Sequence, residues 1–547
     1  MRSKLITVLA LFAGLLPAES AFTADPLPAD RPIEEAVDFY VDALLKRDNI
    51  PAAPVTDDAT LLRRTTLDLA GRIPTVVEAQ AFAASSEPDK RVKLVERLLA
   101  SPDFALHQRN EFDTFLMRDK QNNEWREWLL KSFQADKPWD TMFREIMLGR
   151  EDNDAERPAL TFLKERANSL DDVTNDTSVL FFGVSINCAK CHDHPLVVDW
   201  TQDHFYGMSS FFNRTFVTKK KKYLAEVDDG VVRYTPLHEK EEKVAATMFL
   251  TGGKIDEPPP LGDSNDDKKA RDKRRKEFDE SETPPPAPAF SRRAKLVESA
   301  LAAESRGFFA RSIVNRLWTR LMGRGLVTPV DQMHSANPAS HPELLEWLAR
   351  DLAEHGYDLK RLVRGLVLSQ AYARSSRWDS AGERPDAKYF AVANVRPLSP
   401  RQYAMALHVS TAASEEWSRL ADKPDDWARR RSDLENQAQG LAQRFEIPGE
   451  NFQVSVNEAL LFSNSDQIQK DLLRDGRDRL VGQLKTLKDK PPELIQAAFL
   501  ATLSRPPQPD EVELFTKFLS DRGDRFDQAV LQLVWVLVTT GEFRFNY

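Results

Sequence analysis

Cys188, Cys191 and His192 are the residues of this chain whose types and spacing could do chemistry. They stand in FFGVSINCAKCHDH, Phe181–His194, as C-x-x-C-H, and these two cysteines are the only ones in 547 residues. Two cysteines and nine histidines placed at random would give the pattern in roughly one chain in ten thousand. The spacing fits covalent attachment of haem c. Each thiol adds to one vinyl group of the porphyrin, and the adjacent imidazole takes the iron as its proximal metal ligand. Positions i, i+3 and i+4 of a helix share one face. Val179, Phe182, Gly183 and Ile186 continue a helical apolar stripe up to the motif, with Asp176 or Thr177 as N-cap, so the sequence predicts a motif carried at a helix end.

Two other chemistries use the same residues. A redox-active C-x-x-C disulfide is one, although the thioredoxin-like setting needs a preceding strand and the run before Cys188 reads as helix. A zinc site from Cys188, Cys191, His192 and His194 is the other, but structural zinc usually takes two short-spaced ligand pairs separated by a loop. A haem would also need a sixth ligand or a pocket wall, for which Met208 and His204 are the nearest candidates. Both residues fit ordinary packing too, because Phe205, Met208 and Phe212 form an apolar stripe at helical spacing. His194 precedes a proline and reads as a turn residue.

The remainder of the chain must position that motif. Residues 1–24 read as a secretory signal peptide, with Arg2 and Lys4 ahead of the apolar run Leu5–Leu16 and cleavage after Ser20 or Ala24. No later run of about 20 apolar residues predicts a transmembrane span. The expectation is an exported chain, periplasmic or extracellular at the cell surface, on the oxidising side where haem c is attached. A net charge of -9 argues against a nucleic-acid partner.

The fold class expected is mainly α: two helical domains joined by a small β segment and a disordered Pro- and charge-rich linker. The first domain spans 30–216, with helices carrying Ile33, Val37 and Val41, then Asp57–Ala70 ended by Gly71, then a third opened by a Thr75/Glu78 capping box. Residues 217–256 form the β segment, with a hairpin of Tyr223–Val227 and Val231–Thr235 about Asp229-Gly230 and a further strand in Ala245–Leu250. Residues 257–289 are too poor in apolar side chains to fold alone. The second domain spans 290–547, including a helix opened by a Ser340/Glu343 capping box and another capped by Asp358. It shows no nucleophile elbow, P-loop, H-E-x-x-H pair or calcium loop, so the sequence supplies no catalytic set and leaves open whether the chain is an enzyme.

Several separated stretches resemble a known pair of domains. TLLRRTTLDLAGRIPT, RLLASPDF, LFFGVSINCAKCHDHP and DWTQDHFYGMSSFF look like the cytochrome-type (PSCyt-like) domain of unknown function in large secreted planctomycete proteins. NRLWTRLMGRGLVTPVDQM, NPASHPELLEWLA, NVRPLSPRQ, ATLSRPPQPDE and GEFRFNY look like its PSD-type partner domain, also of unknown function. The resemblance implies an exported, mostly helical, two-domain protein and carries the C-x-x-C-H onto Cys188, Cys191 and His192. Two functions are then expected in competition. One is a c-type haem protein in electron transfer, or the redox subunit of a larger oxidoreductase, with a redox or surface protein as partner. The other is a non-redox surface scaffold that binds a partner or a polysaccharide.

Overall fold

The computed structural model describes residues 27–547 except 29, 119, 121, 194–196, 238, 260–264, 304–305, 381, 449–457, 459 and 463–464. The expected signal peptide falls wholly outside the described residues, and His194 lies outside them too. Among the described residues no helix is long and apolar enough to cross a membrane.

The chain is mainly helical, with three two-stranded antiparallel sheets among the described residues. Local chemistry sets many of the ends. The Asp57 side chain accepts the Thr60 N–H at 2.9 Å and opens the Asp58–Ala70 helix, which Gly71 closes at φ 67°. Thr75 and Glu78 exchange the two bonds of a capping box at the start of Val76–Ala84. Asp358 accepts from the Arg361 N–H at 2.9 Å ahead of Leu359–Leu368. In each case a side-chain oxygen satisfies a backbone donor that the first helical turn leaves orphaned. The Ser340/Glu343 box does not form. His341 is the N-cap residue of Pro342–Glu354 and gives no side-chain cap, while Ser340 Oγ lies 3.0 Å from His341 Nδ1.

The apolar cores cross the boundary expected at Phe290. One core runs from Ile33 to Val392 and joins the first domain to the opening helices of the second. At its centre Trp139 stacks on Phe181 at 5.7 Å and on Phe309 at 5.9 Å. A second core gathers Leu398–Phe543 and also takes in Leu67 and Ile73 from the first half. The two halves therefore stand on shared buried surface, because each leaves apolar helix faces that only the other covers.

The β segment pairs differently from the expected hairpin. Leu224–Glu226 pairs upstream with Thr215–Val217, and Arg233–Tyr234 pairs downstream with Lys243–Val244. Asp229-Gly230 is thus a link between two hairpins. Arg214 holds it there, donating Nε to the Gly230 carbonyl at 3.1 Å while its own carbonyl accepts from the Val227 N–H at 3.1 Å.

The linker expected to be disordered contains the Asn265–Glu280 helix. Its polar surface hides one anchor: Phe278 is buried against Phe216, and the Arg275 guanidinium lies 3.5 Å over the Phe216 ring. Arg271 and Arg274 pair with Asp229 and Asp228. A single aromatic residue and a charge-complementary loop give this helix a docking surface that its composition does not display.

Candidate functional site: the Cys188–His192 turn

The Leu170–Phe182 helix leads to the motif but does not carry it. Ser169 caps it by accepting the Asp172 N–H at 3.2 Å. The expected cap residues do other work, since Asp176 pairs with Arg166 at 2.7 Å and Thr177 is buried within the helix. Gly183 ends the helix in the left-handed conformation, φ 68°, with its N–H on the Val179 carbonyl at 3.2 Å and the Val184 N–H on the Ser178 carbonyl at 3.1 Å. A Cβ there would lie 2.9 Å from Met333 Sδ, so a side chain is excluded by conformation and by space. Val184 then bridges to Gln332, the Ser185 N–H donates to the Asp331 carbonyl at 2.8 Å, and the Gly183 carbonyl accepts from the Met333 N–H at 3.1 Å. The second half of the chain thereby fixes the direction in which the motif leaves the helix.

The cysteines follow on a 3₁₀ turn, Asn187–Lys190, with Cys191 at its end. In a 3₁₀ turn positions i and i+3 eclipse, so Cys188 and Cys191 project to one side without an α-helix. Both are exposed and unbonded, whereas Ala189 between them is fully buried and pins the turn to the core. The backbone is held from the Gln202–Ser210 helix. Tyr206 Oη donates to the Lys190 carbonyl at 3.1 Å, and Gln202 Nε2 donates to the Lys190 and Cys191 carbonyls at 3.3 and 3.4 Å. The Gln202 N–H donates to Asp193 Oδ1 at 3.1 Å. Lys190 pairs with Asp171, a hydrogen bond that raises the ammonium pKa and leaves the turn without a free cation.

His192 is exposed, with Nδ1 2.8 Å from the Asp193 carbonyl oxygen. A carbonyl only accepts, so Nδ1 donates this bond, and in the neutral ring Nε2 is the nitrogen without a proton. The two sixth-ligand candidates are placed otherwise. Met208 is 0% exposed inside the first core, while the three motif side chains face solvent. His204 is half-buried, its Nδ1 lying 3.3 Å from the Thr201 N–H and 3.0 Å from Thr201 Oγ1, its ring edge-on to Trp200 at 5.6 Å. Burial lowers its pKa, against the pull of Asp203 and Asp199. Among the described residues no group of three or more His, Cys, Asp or Glu side chains could hold a metal ion.

Sequence reasoning missed Gln202 and Tyr206, the two side chains that hold the turn. Their i, i+4 spacing on one helix face, directly after the motif, was the available signal.

Residues 36–216 match the family model PSCyt2, a protein of unknown function (DUF1549), and residues 292–444 match PSD1, a protein of unknown function (DUF1553). The chain thus carries a match to each of these two models, in this order from N- to C-terminus. A search of curated proteins finds no match, and neither does a search of solved structures.

Proposed function

We propose that this chain is an exported c-type haem protein that acts in electron transfer or as the redox subunit of a larger oxidoreductase. The observation that carries the reading is the Cys188–His192 turn itself: two unbonded, exposed thiols on one side of a 3₁₀ turn, followed by a histidine whose Nδ1 is engaged by a carbonyl. Cys188 and Cys191 would hold the porphyrin through thioethers, and His192 would offer Nε2 to the iron. An Nδ1–H bonded to a backbone carbonyl fixes the tautomer and ring orientation that metal-ligating histidines adopt. Bound haem supplies a one-electron change at iron. The chain's own contribution is to keep Cys188 and Cys191 apart as thiols, through the backbone bonds from Gln202 and Tyr206, and to keep the motif at the surface. A protein partner would reach such a site without opening the core.

The test is expression with the haem c maturation machinery, followed by a visible spectrum and a haem stain after denaturing electrophoresis. A Soret band that remains with the denatured chain is the expected result. Two alkylatable cysteines in the mature protein from that host would overturn the reading and return the motif to thiol or metal chemistry.

A further inference from the structure

The molecule has a second feature, independent of the Cys188–His192 turn and of the haem reading. A cleft of about 820 Å³ lies where the Ile33–Arg47 helix meets the 324–343 segment. That volume falls within the usual range for small-molecule sites. Much of its wall comes from the motifs NRLWTRLMGRGLVTPVDQM and NPASHPELLEWLA, to which the Cys188–His192 turn assigns no chemistry.

Those walls are built with care. Asn315, fully buried, clamps Val327 from both sides, donating Nδ2 to its carbonyl at 2.8 Å and accepting its N–H on Oδ1 at 3.0 Å. Gly325 sits so close to that clamp that a Cβ would lie 2.2 Å from the Val327 carbonyl. The Ser340 N–H donates to the Leu326 carbonyl at 2.8 Å, and Asn337 Nδ2 donates to the Gln332 carbonyl at 2.9 Å. Two distant stretches of sequence are thereby locked side by side, with Arg324 on one and His341 on the other.

The lining is positive, although the whole chain carries a net charge of -9. Arg47 and Asp48 neutralise one another through a two-point contact at 2.7 and 3.0 Å. Arg324 makes no hydrogen bond or ion pair among the described residues. The Lys388 ammonium lies over the Tyr389 ring at 5.2 Å and makes no close ion pair among them, although its charge helps to lower the Asp48 pKa. The lining sets three cations, Arg47, Arg324 and Lys388, against two carboxylates, Asp48 and Glu343, and Glu343 stands in the first turn of the Pro342–Glu354 helix, where the helix dipole already attracts it. No side chain caps that helix end. His341 also lines the cleft, at 3% exposure, and its Nε2 has no hydrogen-bond partner although Nδ1 faces Ser340 Oγ. A buried imidazole nitrogen with nothing to bond is costly to keep, and a ligand atom would satisfy it.

We propose that this cleft binds a small molecule bearing an oxyanion, a phosphate, sulfate or carboxylate, held by Arg324 and Lys388 with His341 Nε2 bonding the ligand. Arg324 can meet two oxygens of such a group with its planar fork, while Lys388 acts as a point charge at the rim.

The test is isothermal titration of the full mature chain with inorganic phosphate, inorganic sulfate and gluconate, each against chloride at equal ionic strength, with sorbitol as the neutral control. The expected result is saturable one-to-one binding of at least one of the three anions and none of sorbitol. Which anion binds separates the phosphate, sulfate and carboxylate sources. Arg324→Ala and Lys388→Ala should each weaken binding about tenfold, the worth of one charge-assisted hydrogen bond, while Lys517→Ala on an exposed helix face should not. Circular dichroism of each variant separates lost binding from lost fold, and His341→Gln supplies a second, near-isosteric probe. Absence of saturable binding by all three anions, or binding that survives both cation replacements, overturns the proposal.

Discussion

Asn546 Nδ2 donates to the Asp68 carboxylate at 2.9 Å and so ties residue 546 to a helix near the start of the fold. Asp68 is 3% exposed, and it also accepts the Tyr372 hydroxyl at 2.7 Å and both Arg396 Nη groups at 2.9 and 2.8 Å. Four donors from three segments of the second half of the chain converge on one buried carboxylate of the first. Asp68→Asn would leave the Arg396 guanidinium buried without its counter-charge, at a cost of about 3–5 kcal/mol. Asn546→Ala removes one bond to a charged group and should cost about 1–3 kcal/mol. Urea unfolding of the three proteins measures both values, and a cost below about 1 kcal/mol for Asp68→Asn would refute the hub.

Acid should destabilise the fold in two stages. Burial lowers His107 to about 3, and lowers His341 and His408 to about 4, from an ordinary 6.5. All three are therefore neutral when folded, while the unfolded chain takes up a proton on each below pH 6.5. Stability is fully present above that pH and falls as the pH drops, by about 1.4 kcal/mol per pH unit for each proton. Glu435 then adds its part. Its burial works to raise its pKa, but Arg431 and Arg109 hold it at about 2, so its stabilisation is lost between 4.5 and that value. His408→Leu should reduce the slope of unfolding free energy against pH by about one proton between 6.5 and 4. An unchanged slope would show that His408 charges in the folded protein.

The parts of the fold that sequence disclosed are those decided within a few residues. The caps at Thr75 and Asp358 form because a side-chain oxygen meets an N–H three residues ahead. The C-x-x-C-H spacing is equally local. What misled was settled at a distance. The stripe Val179, Phe182, Gly183 and Ile186 reads as one helix, yet it breaks at Gly183 because Asp331–Met333 binds the chain there. Asp229-Gly230 has the composition of a hairpin turn but lost to pairings on either side of it. Phe278 was a lone aromatic in a charged run until Phe216 supplied its cover. The cleft at His341 had no local sign at all, since Asn315, Leu326 and Ser340 meet only in the folded chain.

Gly183→Ala tests the helix break directly. Alanine at φ 68° with its Cβ 2.9 Å from Met333 Sδ is strained twice over. The expected loss is about 1–3 kcal/mol in unfolding free energy. Gly440→Ala is the control, because Gly440 lies within a helix and its added Cβ meets nothing within 4 Å. That change should be neutral or slightly stabilising. Equal effects at the two sites would mean that the left-handed stop is not needed.

The haem reading makes its most discriminating prediction at Met208. Replacing Cys188 and Cys191 should abolish covalent haem, and His192→Ala should change the iron spectrum, but a surface haem held by any geometry would give both results. Met208 differs because it is fully buried in the first core while Cys188, Cys191 and His192 face solvent. Met208→Leu keeps most of the volume of that core position and should cost under about 1.5 kcal/mol. In the haem-loaded protein it should leave the visible spectrum and the reduction potential unchanged, because the sulfur is packing and not an axial ligand. A shifted potential with retained stability would mean that the Gln202–Ser210 helix turns Met208 toward the iron when haem is attached, and that the surface described by the exposed turn closes over the group.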